Sequence, residues 1–218
     1  MRRFVIIGHN VDPSGDFTLN DLCGGAGRLD VLLRCVSSAF FVSHGIRKDV
    51  EVYLVLPGRH GSPSLDERRS GGGSGAPVGP KTVRFSGREL RYLNPDERST
   101  GALVRTALLK NLEGDKEIVS TPGVYVSRRS LESLARALPG PVWLVEDGEP
   151  WPRGGLPGDV TFYLSDHLDF TKEEENLLQS AGARRVSLGP TSLHSHQCIT
   201  IVHWLLDGGI RGGGAPDD

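Results

Sequence analysis

The second half of the chain alternates short apolar runs with amphipathic stretches, and this alternation constrains the fold more than any other feature. Runs at 142–146 and 160–164 are rich in β-branched and aromatic residues, and a further strand ends at 186–188. The stretch between the last two strands has helical spacing. Strands that are separated by helices usually pair in parallel. We therefore predict an α/β fold with a mostly parallel sheet and flanking helices.

The first half of the chain continues this pattern. Strands are predicted at 3–7, 50–56 and 81–85, and helices at 28–44 and 95–112. Asn94, followed by Pro95, is the expected N-cap of the second helix. Thr171 and Glu174 have the spacing of a capping box for a helix near 172–181. Thr191 or Ser192 is expected to cap a last helix that runs to Leu206.

Length and composition favour one folded domain over residues 1–206 of the 218. Residues 57–80 are dominated by glycine, serine, proline and charged residues, so we predict a flexible insertion between two strands. The glycine-rich segment 207–218 is expected to be a disordered tail. A net charge of −2 excludes a strongly basic surface over the whole protein.

Cysteine content and hydropathy point to a cytoplasmic protein. The three cysteines, Cys23, Cys35 and Cys198, are too few and too scattered for a disulfide framework. The N-terminal apolar run is too short for a signal peptide. No run approaches the ~20 apolar residues that span a membrane. We expect no membrane partner.

Three histidines and a cysteine crowd into residues 194–203. On a helix, His194 and Cys198 share a face, but His196 and His203 lie elsewhere. The spacing fits no common zinc motif, and we predict no metal. Cys198 lies among apolar residues, as a core cysteine does, which argues against a catalytic thiol. A metallohydrolase would require stoichiometric zinc.

Small and polar residues follow three strand ends, at 147–149, 165–167 and 189–192. The carboxyl ends of parallel strands can converge on one pocket, and Gly189 allows a close approach of the backbone to a ligand. This arrangement suits a nucleotide-like ligand, although the last segment alone could be an ordinary turn between a strand and a helix.

Several long motifs in order resemble the archaeal tRNA pseudouridine-54 N1-methyltransferases, the TrmY family of the SPOUT superfamily. They are GAGRLDVLLRCVSSAFFVSHGIRKDV (25–50), LNPDERS (93–99), STPGVYV (120–126), SDHLDFT (165–171) and SLGPTSLHSHQCITIVH (187–203). The resemblance covers nearly the whole chain except the insertion, two variable segments and the tail. It implies a C-terminal deep trefoil knot, S-adenosyl-L-methionine as methyl donor, a tRNA substrate and a homodimer.

The resemblance also implies a set of cofactor-binding residues. They are Leu144, Ser165, Leu188, Gly189, Pro190, Thr191, Ser192, Leu193 and Cys198. Many members of the family have glycine where Ser165 stands. We expect serine to be tolerated there, because Asp166 and His167 match the family.

Methylation at N1 of pseudouridine requires the loss of a proton from that nitrogen. Asp30 is the candidate acceptor, and Arg28 and Arg34 are candidates for RNA contacts. Asp30 and Arg34 could instead form a surface ion pair one helical turn apart. Three further arginines could add a basic patch: Arg84, Arg88 and Arg91.

Two other functions remain compatible with the sequence. The same fold could methylate a pseudouridine in small-subunit ribosomal RNA. The chain could also be an RNA-binding module that has lost catalysis, and such a module need not bind S-adenosyl-L-methionine.

Overall fold

A computed structural model describes residues 1–58, 79–114 and 116–209. The strands are β1 (Arg2–Ile7), β2 (Phe41–Val42), β3 (Gly45–Ile46), β4 (Val50–Leu56), β5 (Lys81–Ser86), β6 (Ile118–Thr121), β7 (Val124–Ser127), β8 (Pro141–Pro150), β9 (Val160–Ser165) and β10 (Arg184–Ser187). The helices are α1 (Leu29–Phe40), α2 (Glu97–Leu108), α3 (Leu131–Ala137), α4 (Lys172–Ser180) and α5 (Ser195–Leu206).

Eight strands form one sheet in the order β10-β8-β9-β1-β4-β5-β7-β6. The first five of these strands are parallel, and the other three add on antiparallel. The predicted α/β class with a mostly parallel sheet is confirmed. The elements β6, β7 and α3 were absent from the prediction. The short strands β2 and β3 make a separate hairpin directly after α1.

Both faces of the sheet are covered by helices, which explains the continuous apolar runs of its central strands. Phe4 and Ile6 of β1 belong to a core shared with α1, α2 and α5. Val5 and Ile7, which point to the opposite face, pack with α3 and α4. The two-residue period of a strand therefore divides β1 between two helix layers.

Two of the predicted helix starts are wrong, and one is confirmed. Helix α2 is capped by Asp96, whose carboxylate accepts a hydrogen bond from the Ser99 N–H at 2.7 Å. The structure thus uses a carboxylate at the positive end of the helix instead of Asn94. The Thr171–Glu174 capping box of α4 is present as predicted.

Helix α5 begins after His194, not after Thr191 or Ser192. The Ser192 hydroxyl donates to Glu146 Oε1 at 2.6 Å and is therefore directed away from the helix. The Gln197 side chain accepts the hydrogen bond of the His194 N–H at 2.9 Å. The 191–193 segment is consequently left as an extended loop.

His203 has a structural role in attaching α5 to the sheet. Its Nδ1 accepts from Arg2 at 3.0 Å, which leaves Nε2–H to donate to the Ala39 carbonyl at 3.0 Å. Burial, reinforced by the charges of Arg47 and Arg2, lowers the pKa of His203 to about 4. This histidine is therefore neutral at physiological pH and is fully hydrogen-bonded.

The predicted insertion at 57–80 and the predicted tail at 207–218 lie mostly outside the described residues, and the trefoil knot stays a prediction. None of the helices in the described ranges is both long enough and apolar enough to cross a membrane.

Candidate active site

Three adjacent parallel strands, β10, β8 and β9, end at the same edge of the sheet. Strand β8 pairs with β9 over 141–143, and the β8–β10 ladder is interrupted before it resumes at Glu149 and Val186. A Cβ atom on Gly148 would lie 2.7 Å from the carbonyl carbon of Val186, so only glycine permits this close approach. Residues 144–147 are consequently skipped in the β8–β10 pairing, and they form one wall of a cavity.

The cavity has a volume of about 810 Å³. Eight of the nine residues predicted to bind the cofactor line it; Pro190 alone does not. The eight are Leu144, Ser165, Leu188, Gly189, Thr191, Ser192, Leu193 and Cys198. The predicted convergence of three strand ends on one pocket is therefore confirmed.

The lining combines apolar side chains with an excess of carboxylates. Five acidic residues line the cavity, against one lysine and one arginine. The acidic residues are Glu146, Asp147, Asp166, Asp169 and Glu175. Such a lining suits a ligand that has both an apolar body and a positive charge, because charge complementarity adds to the burial of apolar surface.

Two polar groups at the cavity lack partners. The Ser165 hydroxyl and the Trp143 indole N–H are buried and make no hydrogen bond to any described residue. Gly189 has a φ of +136°, and no atom lies within 4 Å of the position that a Cβ would occupy. A bound ligand could accept hydrogen bonds from the unpaired donors and could occupy the open space beside the Gly189 backbone.

Cys198 faces this cavity as a neutral thiol. Burial, with a contribution from Glu146, raises its pKa to about 11.

The neighbouring histidines pair with each other: the rings of His194 and His196 stack with their centroids 5.7 Å apart. A neutral thiol is a poor nucleophile, which agrees with the prediction against a Cys–His pair. Within the described ranges, no three His, Cys, Asp or Glu residues are grouped closely enough to hold a metal.

A buried charge network underlies one wall of the cavity, and the sequence prediction missed it. Asp166 accepts hydrogen bonds from the His9 N–H at 2.9 Å, from His9 Nδ1 at 3.1 Å and from the Leu168 N–H at 2.9 Å. His9 Nε2 donates to Glu174 at 3.0 Å. The network joins the end of β1 to the end of β9 and to the first turn of α4.

The three groups of this network are all ionised at neutral pH. Hydrogen bonds to Asp166 and then Glu174 raise the pKa of His9 to about 9, against the opposing effect of burial. Burial raises the pKa of both carboxyls, but their hydrogen bonds from His9 and nearby backbone N–H groups outweigh it, so both pKa values lie below their usual range. The network therefore holds a positive charge between two negative ones.

Asp30 is buried and fully occupied by the two arginines predicted to contact RNA. Arg28 donates to its two oxygens at 3.0 and 3.3 Å, and Arg34 donates at 2.5 Å. Arg34 also contacts Glu97 at 3.1 Å. The side chains of Arg28 and Arg34 remain 38% and 42% exposed, while the Asp30 side chain is only 4% exposed. The ion pair between Asp30 and Arg34 is therefore present, as the alternative predicted, but its carboxylate is buried and is shared with Arg28.

The arginine cluster lies beside the cavity without lining it. Hydrogen bonds and the charge of Asp30 raise the pKa of Arg28, and the charge of Asp166 adds to that shift. Arg28 also has a left-handed backbone, with a φ of 66°. The charge of Asp166, which lines the cavity, therefore acts on the Arg28 side chain. The left-handed backbone of Arg28 is a separate feature, because residues with a Cβ rarely adopt it. The predicted roles of Asp30, Arg28 and Arg34 stay predictions.

The predicted basic patch is only partly available. Arg84 forms ion pairs with Glu51 at 3.0 Å and Glu117 at 2.6 Å, and it stacks over Tyr125. Its charge is compensated by these partners. Arg88 and Arg91 are exposed.

A mixed α/β sheet with a cavity at the carboxyl ends of its parallel strands defines a ligand-binding α/β protein. A similar fold is found in Nep1 from Archaeoglobus fulgidus, which was solved bound to S-adenosylhomocysteine. The two chains superimpose with a TM-score of 0.59 over 93% of this chain and 95% of Nep1, at 16% identity. This likeness shows that the two chains share their fold.

Sequence comparison gives the family. Residues 1–66 and 74–209 match the family described as "Putative SAM-dependent RNA methyltransferase", and the chain belongs to that family. It is 48% identical over 210 residues to the tRNA (pseudouridine(54)-N(1))-methyltransferase of Methanosarcina mazei, covering 95% of this chain and 91% of the relative. The Methanocella arvoryzae enzyme of the same name is 43% identical over 207 residues, with 95% and 99% covered.

Proposed function

We propose that the chain transfers a methyl group from S-adenosyl-L-methionine to N1 of pseudouridine 54 in tRNA. The observation that carries this proposal is the acidic and apolar cavity at the ends of β8, β9 and β10, in a chain of the RNA methyltransferase family. The names of its relatives supply the particular nucleotide.

The cavity residues fit this cofactor. S-adenosyl-L-methionine supplies an electrophilic methyl group on a positively charged sulfur. Leu144, Leu188 and Leu193 offer apolar contacts for the adenosine. Asp147, Asp166 and Glu175 already have cationic partners, so Glu146 and Asp169 are the lining carboxylates left to balance the sulfonium and ammonium charges. The unpaired Ser165 hydroxyl offers a hydrogen bond to the cofactor, and the open space beside the Gly189 backbone leaves room for it.

The arginine cluster connects RNA binding to proton removal. Arg28 and Arg34 are exposed enough to contact phosphates, and both hold the Asp30 carboxylate. An RNA phosphate that takes over one guanidinium hydrogen bond leaves an Asp30 oxygen free to accept the N1 proton. Substrate binding would in this way expose the acceptor only when the nucleotide is in place.

The test is methyl transfer to two matched tRNA transcripts, with pseudouridine or uridine at position 54, followed by mass mapping of the product. We expect methylation only of the pseudouridine transcript, at N1, because C-linkage leaves that nitrogen with a removable proton. Transfer to both transcripts, or at another position, would contradict the assignment.

Two further measurements separate the alternatives: methyl transfer to a small-subunit ribosomal RNA fragment, and binding of tRNA and of S-adenosyl-L-methionine. Methylation of a small-subunit ribosomal RNA fragment, with none of tRNA, would move the substrate to the ribosome. Binding of tRNA without any binding of S-adenosyl-L-methionine would indicate an RNA-binding module without catalysis.

We further propose that the chain works as a homodimer in the cytoplasm. Helix α5 exposes Gln197, Thr200 and Trp204 along one face, and Trp204 is 54% exposed. These residues are three and four positions apart and so form a single stripe. A second copy of the chain would cover this stripe.

Replacement of Trp204 by glutamate should lower the mass in sedimentation equilibrium from dimer to monomer. Leu109, which is 58% exposed and outside the stripe, provides the matched control as Leu109→Glu. A monomeric wild-type protein would contradict the dimer.

A further inference from the structure

We propose that a groove between the β2–β3 hairpin and residues 90–95 binds a second stretch of the RNA substrate, away from the methylated nucleotide. This inference rests on the proposed function, since it supposes an RNA substrate. It adds a second RNA contact surface to the Arg28–Arg34 cluster. We call it the hairpin groove.

The hairpin groove is an open depression of about 780 Å³. Its lining contains His44, Lys48 and Arg91 among apolar residues such as Val42 and Leu93. It contains no carboxylate. In this it differs from the acidic cavity at the ends of β8, β9 and β10, so its lining favours a ligand of opposite charge.

Lys48 and Arg91, the two cations of the hairpin groove, have no ion-pair partner among the described residues. The nearest carboxylates along the chain are engaged elsewhere. Asp49 pairs with Arg2, Glu89 accepts from the Tyr125 hydroxyl and Asp96 caps α2. Uncompensated cations on a protein with a net charge of −2 form a local site for a polyanion.

Exposed apolar and aromatic surface accompanies these charges. Val42 is 46% exposed, and Tyr92, between Arg91 and Leu93, is 61% exposed. Surfaces that bind single-stranded nucleic acid combine positive charge for the phosphates with aromatic faces on which bases stack. Lys48 and Arg91 line the hairpin groove, and the exposed Tyr92, which does not line it, directly follows Arg91 in the chain.

The hairpin groove is linked to the Arg28–Arg34 cluster through the start of α2 and a series of ion pairs. Pro95 lines the groove, and Glu97, two residues later, pairs with Arg34. Arg34 pairs with Asp30, which also holds Arg28. The twelve residues of α1 separate the hairpin from Arg28 by about 18 Å. A tRNA arm is long enough to contact both ends of this helix.

The test measures binding of a pseudouridine-54 tRNA transcript at several salt concentrations. We expect the double variant Lys48→Gln, Arg91→Gln to bind about tenfold more weakly, with a salt slope smaller by about two, because two phosphate contacts are lost. The KM for tRNA should rise by a similar factor, while kcat and the Kd for S-adenosyl-L-methionine stay unchanged. Tyr92→Leu should weaken binding with no change in slope.

The matched control is Arg136→Gln on α3. This residue is 75% exposed and lies on the opposite face of the sheet, so its loss should leave tRNA affinity unchanged. An unchanged tRNA affinity and salt slope in the double variant would contradict RNA binding by the hairpin groove but leave the proposed function intact. The same would follow if the double variant lost self-association and kept its tRNA affinity, since a second copy would then be the occupant. A wild-type protein that binds no tRNA would instead overturn the proposed function.

Discussion

Replacement of Asp30 by asparagine should slow methyl transfer at saturating substrates by about a hundredfold or more, the contribution typical of a general base. Asparagine retains the shape and one acceptor oxygen, so Arg28 and Arg34 keep hydrogen-bond partners. It cannot accept the N1 proton as a carboxylate does. The rate should therefore fall while the Kd for S-adenosyl-L-methionine stays the same.

Glu97→Gln is the control for this substitution, because it changes the other carboxylate that Arg34 contacts. We expect that variant to keep its kcat within a few fold of the wild type. Single-turnover rates on the pseudouridine-54 transcript, with tRNA affinity measured in parallel, separate the two roles of Asp30. An Asp30→Asn variant with a near-normal rate and weakened tRNA binding would show that Asp30 only positions the guanidiniums.

Replacement of Asp166 by asparagine should lower the free energy of unfolding by about 2 kcal/mol, because the charge-assisted hydrogen bond from the His9 ring is lost while Glu174 still pairs with that ring. The Asp166 side chain is 0% exposed, and that of His9 is 12% exposed. The substitution removes the larger of the two effects that keep His9 protonated. Affinity for S-adenosyl-L-methionine should fall as well, since Asp166 lines the cavity.

The pH dependence of stability follows from the same network. The folded-state pKa of His9 is raised, so its contribution is complete below about 6.5 and is lost as pH rises through about 9. The pKa values of Asp166 and Glu174 are lowered, so their contributions are present at neutral pH and are lost as pH falls through the acid range. In Asp166→Asn, the alkaline loss should begin at a lower pH.

Urea unfolding between about pH 2 and pH 10 measures both the acid and the alkaline loss of stability. Asp169→Asn, three residues further along and exposed, is the matched control and should leave the unfolding free energy unchanged. A stability profile of Asp166→Asn that matches the wild type would show that the network contributes nothing to folding.

Much of the architecture could be predicted because it depends on local patterns. Apolar runs bounded by glycine, proline and aspartate predicted the central strands, and Thr171 with Glu174 predicted the start of α4. The strands β6 and β7 were missed because their sequences are short and only partly apolar, and they become strands by pairing with β5 and with each other.

The sequence by itself determined the α/β class, the family, and the segments whose strand ends surround the cavity. Only the tertiary structure decided which charges meet. His9 and Asp166 are 157 residues apart, and no periodicity relates them. They become partners because β1 and β9 pair in parallel and end together, so that burial makes their ion pair obligatory. The interruption of the β8–β10 pairing at residues 144–147 also depends on a distant partner, because Gly148 packs closely against Val186, 38 residues later.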